Sequence, residues 1–196
     1  MMRNTLYYFA INKPYGMLSQ FTDANNRRTL SGLYNFPKDV YPIGRLDMDS
    51  EGLLLLTNDK RLIDHLLNPR NKLEKEYYVQ VEGIPTQSAI QCLSDGVVIE
   101  GKKTLLAKAK LIEAPNFPER NPPIRERKNI PTSWISLTIT EGRNRQVRKM
   151  TAAVGFPTLR LVRVRIKNIL LDKLKSGEVR ELSKKEVESI KSHQKI

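Results

Sequence analysis

The order of apolar and polar residues predicts a chain of short strands interrupted by a few helices. Its most apolar run is four consecutive leucines at 53–56, typical of a strand buried on both faces. Alternation in residues 76–82 predicts a strand with Tyr77, Val79 and Val81 on one face and the intervening residues on the other. Further strands are predicted in residues 7–12, 104–112, 134–140 and 159–166. In the last of these, alternation places Val162, Val164 and Ile166 inward, with Arg163 and Arg165 outward.

Helices are predicted where a capping residue precedes apolar residues at helical spacing. Asn58 or Asp59 begins one such helix, in which Leu62, Leu66 and Leu67 follow at helical spacing. Three more are predicted in residues 86–96, 144–155 and the charged C-terminal segment 183–196.

These elements favour an α+β fold, because the strands are more numerous than the helices and do not alternate strictly with them. A mixed, mostly antiparallel sheet is expected. Residues 113–133 contain five prolines, which exclude a continuous helix or a central strand. Two interpretations of this segment remain open, a linker between domains and a loop that binds a partner. We expect one catalytic domain in residues 1–182, followed by a charged helix or tail in 183–196.

The net charge changes this picture by indicating a partner. The chain has 34 Lys plus Arg against 21 Asp plus Glu, for a net charge of +13. Residues 120–165 contain eleven of the basic residues, nine of them Arg, and only two acids. A basic cluster of this size favours a polyanionic partner over a merely solvated surface.

The termini and the single cysteine indicate the compartment. Cys92 is the one cysteine, so no intramolecular disulfide can form. The N-terminal apolar run is short, lacks a cleavage site of small residues and ends at Asn12. We therefore expect a soluble, cytoplasmic protein without membrane attachment.

Three acids lie immediately before the leucine run, at Asp47, Asp49 and Glu51. A calcium loop of the EF-hand type would need a glutamate at its twelfth position, where Asn58 stands, so calcium is rejected. The chain has only two histidines and one cysteine, which argues against a transition-metal site. The sequence also contains no glycine-rich phosphate-binding motif. No metal and no cofactor are expected. Either Asp47 caps a turn, or it is an ionised carboxylate held in a cleft near a cation.

Four motifs in order decide between these alternatives. The pattern GRLDxxSxGLLLLTND, with KPYG before it and KEYYVQVEG and EGRNRQVRKMTAAVGFPTLRLVRVRI after it, resembles the RsuA branch of the pseudouridine synthases. The resemblance covers nearly the whole chain. It implies the pseudouridine synthase catalytic fold, in two lobes with a central RNA-binding cleft. Many members carry an N-terminal S4 RNA-binding domain, whereas this chain is expected to start directly at the catalytic core.

The resemblance also implies the roles of individual residues. Asp47 matches the catalytic carboxylate, which either attacks the ribose or first removes a ribose proton. Tyr77 matches an active-site tyrosine that can stack on uracil, and Arg148 matches a basic residue that pairs with the aspartate. On the helix of residues 144–155, Arg145 and Arg148 are expected to share a face while Val147, Met150 and Val154 pack inward.

The candidate RNA contacts form a larger set. One residue is expected to enter the RNA as the target base leaves its stack, and this is Arg45. The others are basic side chains that are expected to contact phosphate: Lys13, Arg125, Arg127, Lys128, Arg143 and Arg145. For Arg143 and Arg145, the alternative is that both side chains are simply solvated.

The function expected from the sequence is isomerisation of a specific uridine in rRNA to pseudouridine. Similarity within the family favours 23S rRNA of the large subunit, as naked RNA or in an assembling particle. The alternative is a non-catalytic RNA-binding or ribosome-assembly protein that uses the same basic surface. A monomer is the expected state.

Overall fold

The computed structural model describes residues 5–124 and 129–192. The chain forms two compact units, one from the described residues of Met1–Leu73 and Arg163–Ile196, the other from Glu74–Val162. In the described part of the chain, no helix has the length and apolar character needed to cross a membrane.

Strands predominate in both units, as the sequence predicts. The strands are β1 Tyr8–Lys13, β2 Tyr41–Pro42, β3 Glu51–Thr57, β4 Lys75–Glu82, β5 Val98–Ile99, β6 Lys102–Lys103, β7 Lys108–Ile112, β8 Thr132–Ile139, β9 Thr158–Ile166, β10 Ile169–Leu170 and β11 Val179–Glu181. The α-helices are α1 Lys60–Leu67, α2 Gln87–Asp95, α3 Gln146–Ala153 and α4 Lys184–Lys191, and short 3₁₀ turns lie at Leu30–Gly32 and Pro69–Asn71.

The first unit is built around β3. All seven residues of this strand are buried, which confirms the prediction from the leucine run. Strands β1 and β3 are antiparallel, with Phe9 opposite Leu56 and Ile11 opposite Leu54. The sheet continues through β11 on the far side of β1, and β2 pairs with the end of β3. Asp47 therefore lies in the loop that leads into the most buried strand of the unit.

Helix caps hold the two helices of the first unit in place. The Asp59 carboxylate accepts a hydrogen bond from Leu62 N at 3.2 Å, so the predicted cap of α1 is confirmed. At the start of α4, Ser183 and Glu186 form a capping box. Lys191 Nζ, at the end of α4, donates to Tyr8 Oη at 2.6 Å and ties the helix to β1.

In the second unit, strands β4, β7 and β8 pair in antiparallel fashion. Strands β4 and β8 pair over their full length, with Tyr77 opposite Leu137, and β7 lies on the other side of β8. Burial alternates along β4 as predicted, with Tyr77, Val79 and Val81 buried. Helix α2 is capped by Thr86, whose hydroxyl accepts from Ala89 N at 3.2 Å. The predicted α+β fold with a mostly antiparallel sheet is confirmed.

One prediction about β9 is wrong. Alternation placed Arg163 outward, but its side chain is buried and its Nε donates to Leu53 O at 2.7 Å. Gly52 permits the close approach of the two strands here, since a Cβ at this position would lie only 2.3 Å from Arg163 O. Because the glycine has no side chain, the backbone of β9 lies directly against β3, and the arginine reaches a carbonyl of the neighbouring strand.

Candidate active site

The backbone on both sides of Asp47 is fixed by the first unit. Buried Ser19 holds Leu46 twice, since its hydroxyl accepts from Leu46 N at 3.0 Å and donates to Leu46 O at 2.8 Å. On the other side, Gly16 N donates to Met48 O at 2.8 Å, and Ser50 N donates to Asp47 O at 3.0 Å. The Asp47 side chain is half-buried. The backbone that carries the Asp47 carboxylate is therefore hydrogen-bonded on both sides of this residue.

A buried cation lies next to the acids of this loop. Lys13 is fully buried, and its Nζ donates to Pro14 O at 2.9 Å and to Met17 O at 2.7 Å. Burial lowers the pKa of Lys13 to about 8, while the charges of Glu51, Asp49 and, more weakly, Asp47 act to raise it. The positive charge of Arg163 also lowers the pKa of Lys13.

This arrangement corrects the role expected for Lys13. A side chain with no exposed surface, whose ammonium group is bound to two backbone carbonyls, cannot reach an RNA phosphate. The buried lysine also accounts for the presence of two acids, Glu51 and Asp49, in this loop. Glu51 is buried, and both Glu51 and Asp49 lie close enough to Lys13 to favour its charged form. In residues 5–124 and 129–192, no group of three or more His, Cys, Asp or Glu side chains is arranged to hold a metal ion.

Arg45 lies two residues before Asp47 and is exposed, as a residue that enters RNA must be. Its Nη2 donates to Gln20 Oε1 at 3.2 Å. Arg45 also lines an open pocket of the first unit, about 1050 Å³ in volume, together with several aromatic side chains. The arginine is thus oriented by a neighbour without being buried.

In the second unit, the adjacent tyrosines of β4 lie in different surroundings. Tyr77 is buried, with 8% of its surface exposed. Tyr78 faces the other side of the sheet, where its ring centroid lies 6.1 Å from that of Phe117. Phe117 belongs to the proline-rich segment, so the segment packs on the sheet of the second unit at this residue.

Helix α3 and its N-cap carry Arg148 and Arg145. Val147 and Met150 are buried, as predicted, and Arg148 is half-buried. Arg145 is exposed at the N-cap in a left-handed conformation, φ 51°. The predicted pairing of Arg148 with Asp47 stays a prediction.

Arg143 is half-buried and has structural partners within the second unit, and its expected RNA contact stays a prediction. Its guanidinium donates to Lys102 O at 3.0 Å and to Ile99 O at 2.6 Å, so it binds the β5–β6 hairpin. The remaining predicted phosphate contacts, Arg125, Arg127 and Lys128, lie outside the described residues.

Sequence reasoning missed the residues that shape the turn before α3. Buried Gln146 accepts from Arg143 N at 2.9 Å and donates to Glu141 Oε1 at 2.6 Å. Glu141 Oε1 also accepts from Leu105 N at 2.9 Å. The available signal was an amide and a carboxylate inside an otherwise basic segment, where neither serves RNA binding.

Comparison with known proteins agrees with the motifs. Residues 7–153 match the family model described as RNA pseudouridylate synthase. Ribosomal large subunit pseudouridine synthase E of Vibrio parahaemolyticus is 53% identical over 171 residues, which are 87% of this chain and 71% of that protein. Ribosomal large subunit pseudouridine synthase B of Bacillus subtilis is 39% identical, over 94% of this chain and 71% of that protein.

A solved structure supports the fold independently. A crystal structure of a pseudouridylate synthase superimposes with a TM-score of 0.80 at 27% identity, covering 96% of this chain and 75% of that one. The resemblance found in the motifs is thereby confirmed, and the chain belongs to the RNA pseudouridylate synthase family.

Proposed function

We propose that the protein converts a specific uridine of large-subunit (23S) rRNA to pseudouridine, with Asp47 as the catalytic carboxylate. The observation that carries the proposal is the loop of Asp47, held by Ser19 on one side and by Gly16 on the other. Similarity to proteins named as large-subunit synthases supports the choice of rRNA. We further propose that the protein acts in the cytoplasm as a monomer.

The reaction itself defines what the residues must do. The bond between uracil N1 and ribose C1′ breaks, C5 of the same uracil bonds to C1′, N1 gains a proton and C5 loses one. Atoms and electrons balance without an oxidant, a reductant or a second substrate. Asp47 supplies the group that attacks the ribose or removes its proton, and both alternatives require the ionised carboxylate. A fixed backbone favours both attack on the ribose and removal of its proton, because in each case the carboxylate must be within bonding or hydrogen-bonding distance of one ribose atom.

The second unit contributes the other proposed catalytic residues. Tyr77 offers a ring that can stack on uracil and a hydroxyl that can exchange a proton with the base. Arg148 offers a planar cation suited to a carboxylate or a phosphate. Tyr78 provides a matched control, because it is adjacent in sequence and contacts Phe117 instead. Tyr77→Phe is expected to slow isomerisation strongly, whereas Tyr78→Phe should leave it nearly unchanged.

The test uses large-subunit rRNA carrying tritium at uracil C5, because isomerisation releases this tritium to water. The native protein should release it, and Asp47→Asn should reduce release by about a hundredfold to ten-thousandfold while RNA binding is kept. Asp49→Asn is the matched control, since it makes the same change in charge within the same loop and should retain most of the activity.

Two results would contradict the proposal. Normal release by Asp47→Asn would show that another group carries the reaction. No release by the native protein, from either naked rRNA or immature large subunits, with binding intact, would favour the non-catalytic RNA-binding function instead.

A further inference from the structure

The pocket beside Arg45 is formed by residues of the first unit that the reaction does not use. It is lined by residues 19–22, Ser31, 34–38, 40–42, Gly44, Arg45 and Leu67, and its volume is about 1050 Å³. Ligand pockets in proteins typically measure about 300–1,000 Å³, so this one is at the upper end of the range for a bound ligand.

Aromatic rings form one wall of the pocket. The ring of Phe36 lies 5.1 Å from that of Tyr34, 5.5 Å from that of Phe21 and 5.3 Å from that of Phe9, between ring centroids. Phe9 is buried and belongs to β1, so the cluster is anchored in the core. Tyr34 nevertheless keeps 49% of its surface exposed, and Tyr41, also in the lining, keeps 53%.

The charges and polar groups of the lining suit a nucleic acid. Lys38 and Arg45 are both exposed, and the described lining residues include no acid. Gln20 and Asn35 add amide groups that can donate to and accept from base edges. Exposed rings with cations and amides are the combination that single-stranded nucleic acids require, because bases stack while their phosphates meet positive charge.

The pocket is also connected directly to the loop of Asp47. Ser19 lines the pocket and holds both backbone groups of Leu46, the residue next to Asp47. Gln20, from the same segment, binds Arg45. A nucleotide strand bound in the pocket would therefore lie within a few residues of the catalytic loop.

We propose that this pocket binds unpaired nucleotides adjacent to the target uridine, with Tyr34 and Tyr41 as stacking surfaces and Lys38 as a phosphate contact. The inference rests on the proposed function, since it names where that function's RNA substrate is held beyond the reacting base. Binding in this pocket would favour uridines whose neighbouring nucleotides can leave a duplex, because only unpaired bases can stack on the two tyrosine rings.

The experiment uses a single-stranded RNA oligonucleotide with the fluorescent base 2-aminopurine beside a single uridine. Stacking on an aromatic ring quenches this fluorophore, so the native protein should quench it. Tyr34→Ala and Tyr41→Ala should each reduce the quenching and weaken binding by about tenfold, the equivalent of about 1.4 kcal/mol. Tyr34→Phe, which keeps the ring, should restore both. Leu170→Ala removes an exposed apolar side chain outside the lining and should change neither.

A second measurement avoids dependence on the variants' folding. Native protein is photo-crosslinked to the same RNA carrying 5-iodouridine in place of the neighbouring base, and the attached residues are mapped by mass spectrometry. Crosslinks at Tyr34, Phe36 or Tyr41 support the inference. Unchanged quenching in both alanine variants, absence of quenching with native protein, or crosslinks confined to other surfaces would overturn it.

Tritium release by the same preparations separates the two proposals. If the native protein isomerises uridine but the tyrosine variants bind and react normally, the pocket inference fails and the proposed function stands. If quenching and crosslinks occur without any isomerisation, the pocket is an RNA site and the proposed function fails.

Discussion

Replacing Lys13 by Met tests how the acid loop is supported. The lysine has no exposed surface, and its Nζ donates to Pro14 O and Met17 O. Its charge also lies close to those of Glu51 and Asp49. Methionine has a similar length but cannot donate hydrogen bonds or balance charge. At pH 7 we expect Lys13→Met to change the free energy of unfolding by no more than about 1 kcal/mol, because the loss of hydrogen bonds to two carbonyls is offset by removal of the cost of burying the charge.

The dependence on pH makes this prediction specific. Burial is the main cause that lowers the pKa of Lys13 from 10.5 to about 8, and this difference corresponds to about 3 kcal/mol. The unfolded chain therefore binds the lysine proton more tightly than the native protein does. Below pH 8 both states are protonated and the full cost of burying the charge is present. Between pH 8 and 10.5 the native lysine loses its proton first, so native stability rises with pH.

Urea unfolding followed by circular dichroism, at pH 7 and at pH 10, measures this effect. The stability difference between the native protein and Lys13→Met should be larger at pH 10 by up to about 3 kcal/mol. All other titrating groups are common to both proteins and cancel in the difference. Lys185→Met, at an exposed position of α4, should show no such change. An equal difference at both pH values would refute the claim that burial lowers the pKa of Lys13.

Three further predictions concern backbone and hydroxyl groups. Gly52→Ala should cost about 3–5 kcal/mol in thermal unfolding, because φ is +103° and the new Cβ would lie 2.3 Å from Arg163 O. Gly16→Ala, at φ +72° with open space around it, should cost only about 1 kcal/mol; equal losses would contradict the argument from close approach. Ser50→Ala should leave the free energy of unfolding unchanged or raise it by about 1 kcal/mol, because Ser50 Oγ is buried without a hydrogen-bond partner among the described residues. Tritium release should be unchanged, and a loss of activity would show that the hydroxyl serves the reaction. Ser183→Ala should destabilise α4 by about 1 kcal/mol through loss of its capping box, measurable as faster amide hydrogen exchange in that helix, and unchanged exchange would refute this.

Much of the fold was predictable because the deciding interactions are local. The leucine run predicted β3, and alternation predicted which residues of β4 are buried. Asp59 and Thr86 begin helices by accepting hydrogen bonds from backbone groups three residues later. In each case the group and its partner are a few residues apart, so the pattern in the sequence already contains the interaction.

The contacts that the sequence did not predict involve long cations whose partners are distant in sequence. Arg163 is buried against Leu53, 110 residues away. Arg143 binds carbonyls of Ile99 and Lys102, 44 and 41 residues away. A charged side chain in a strand or turn is exposed unless the fold supplies acceptors for it, and no local pattern reveals those acceptors. Lys13 differs, because its acceptors Pro14 O and Met17 O are only one and four residues away, whereas the acids that act on its charge, Glu51 and Asp49, are distant in sequence.

The loop of Asp47 shows what these unpredicted contacts accomplish together. Arg45 is held by Gln20, Leu46 by Ser19 and Met48 by Gly16, so successive residues of one loop are each fixed from residues 16–20. Residues 16–20 follow KPYG closely, and Lys13 of that motif is buried beside the acids after Asp47. A carboxylate that must meet one ribose atom benefits from a rigid support, since a displacement of about 1 Å can cost a hundredfold in rate. The KPYG segment and the GRLD segment therefore support one another, and we expect Lys13 to serve the reaction by keeping the loop in place rather than by touching RNA.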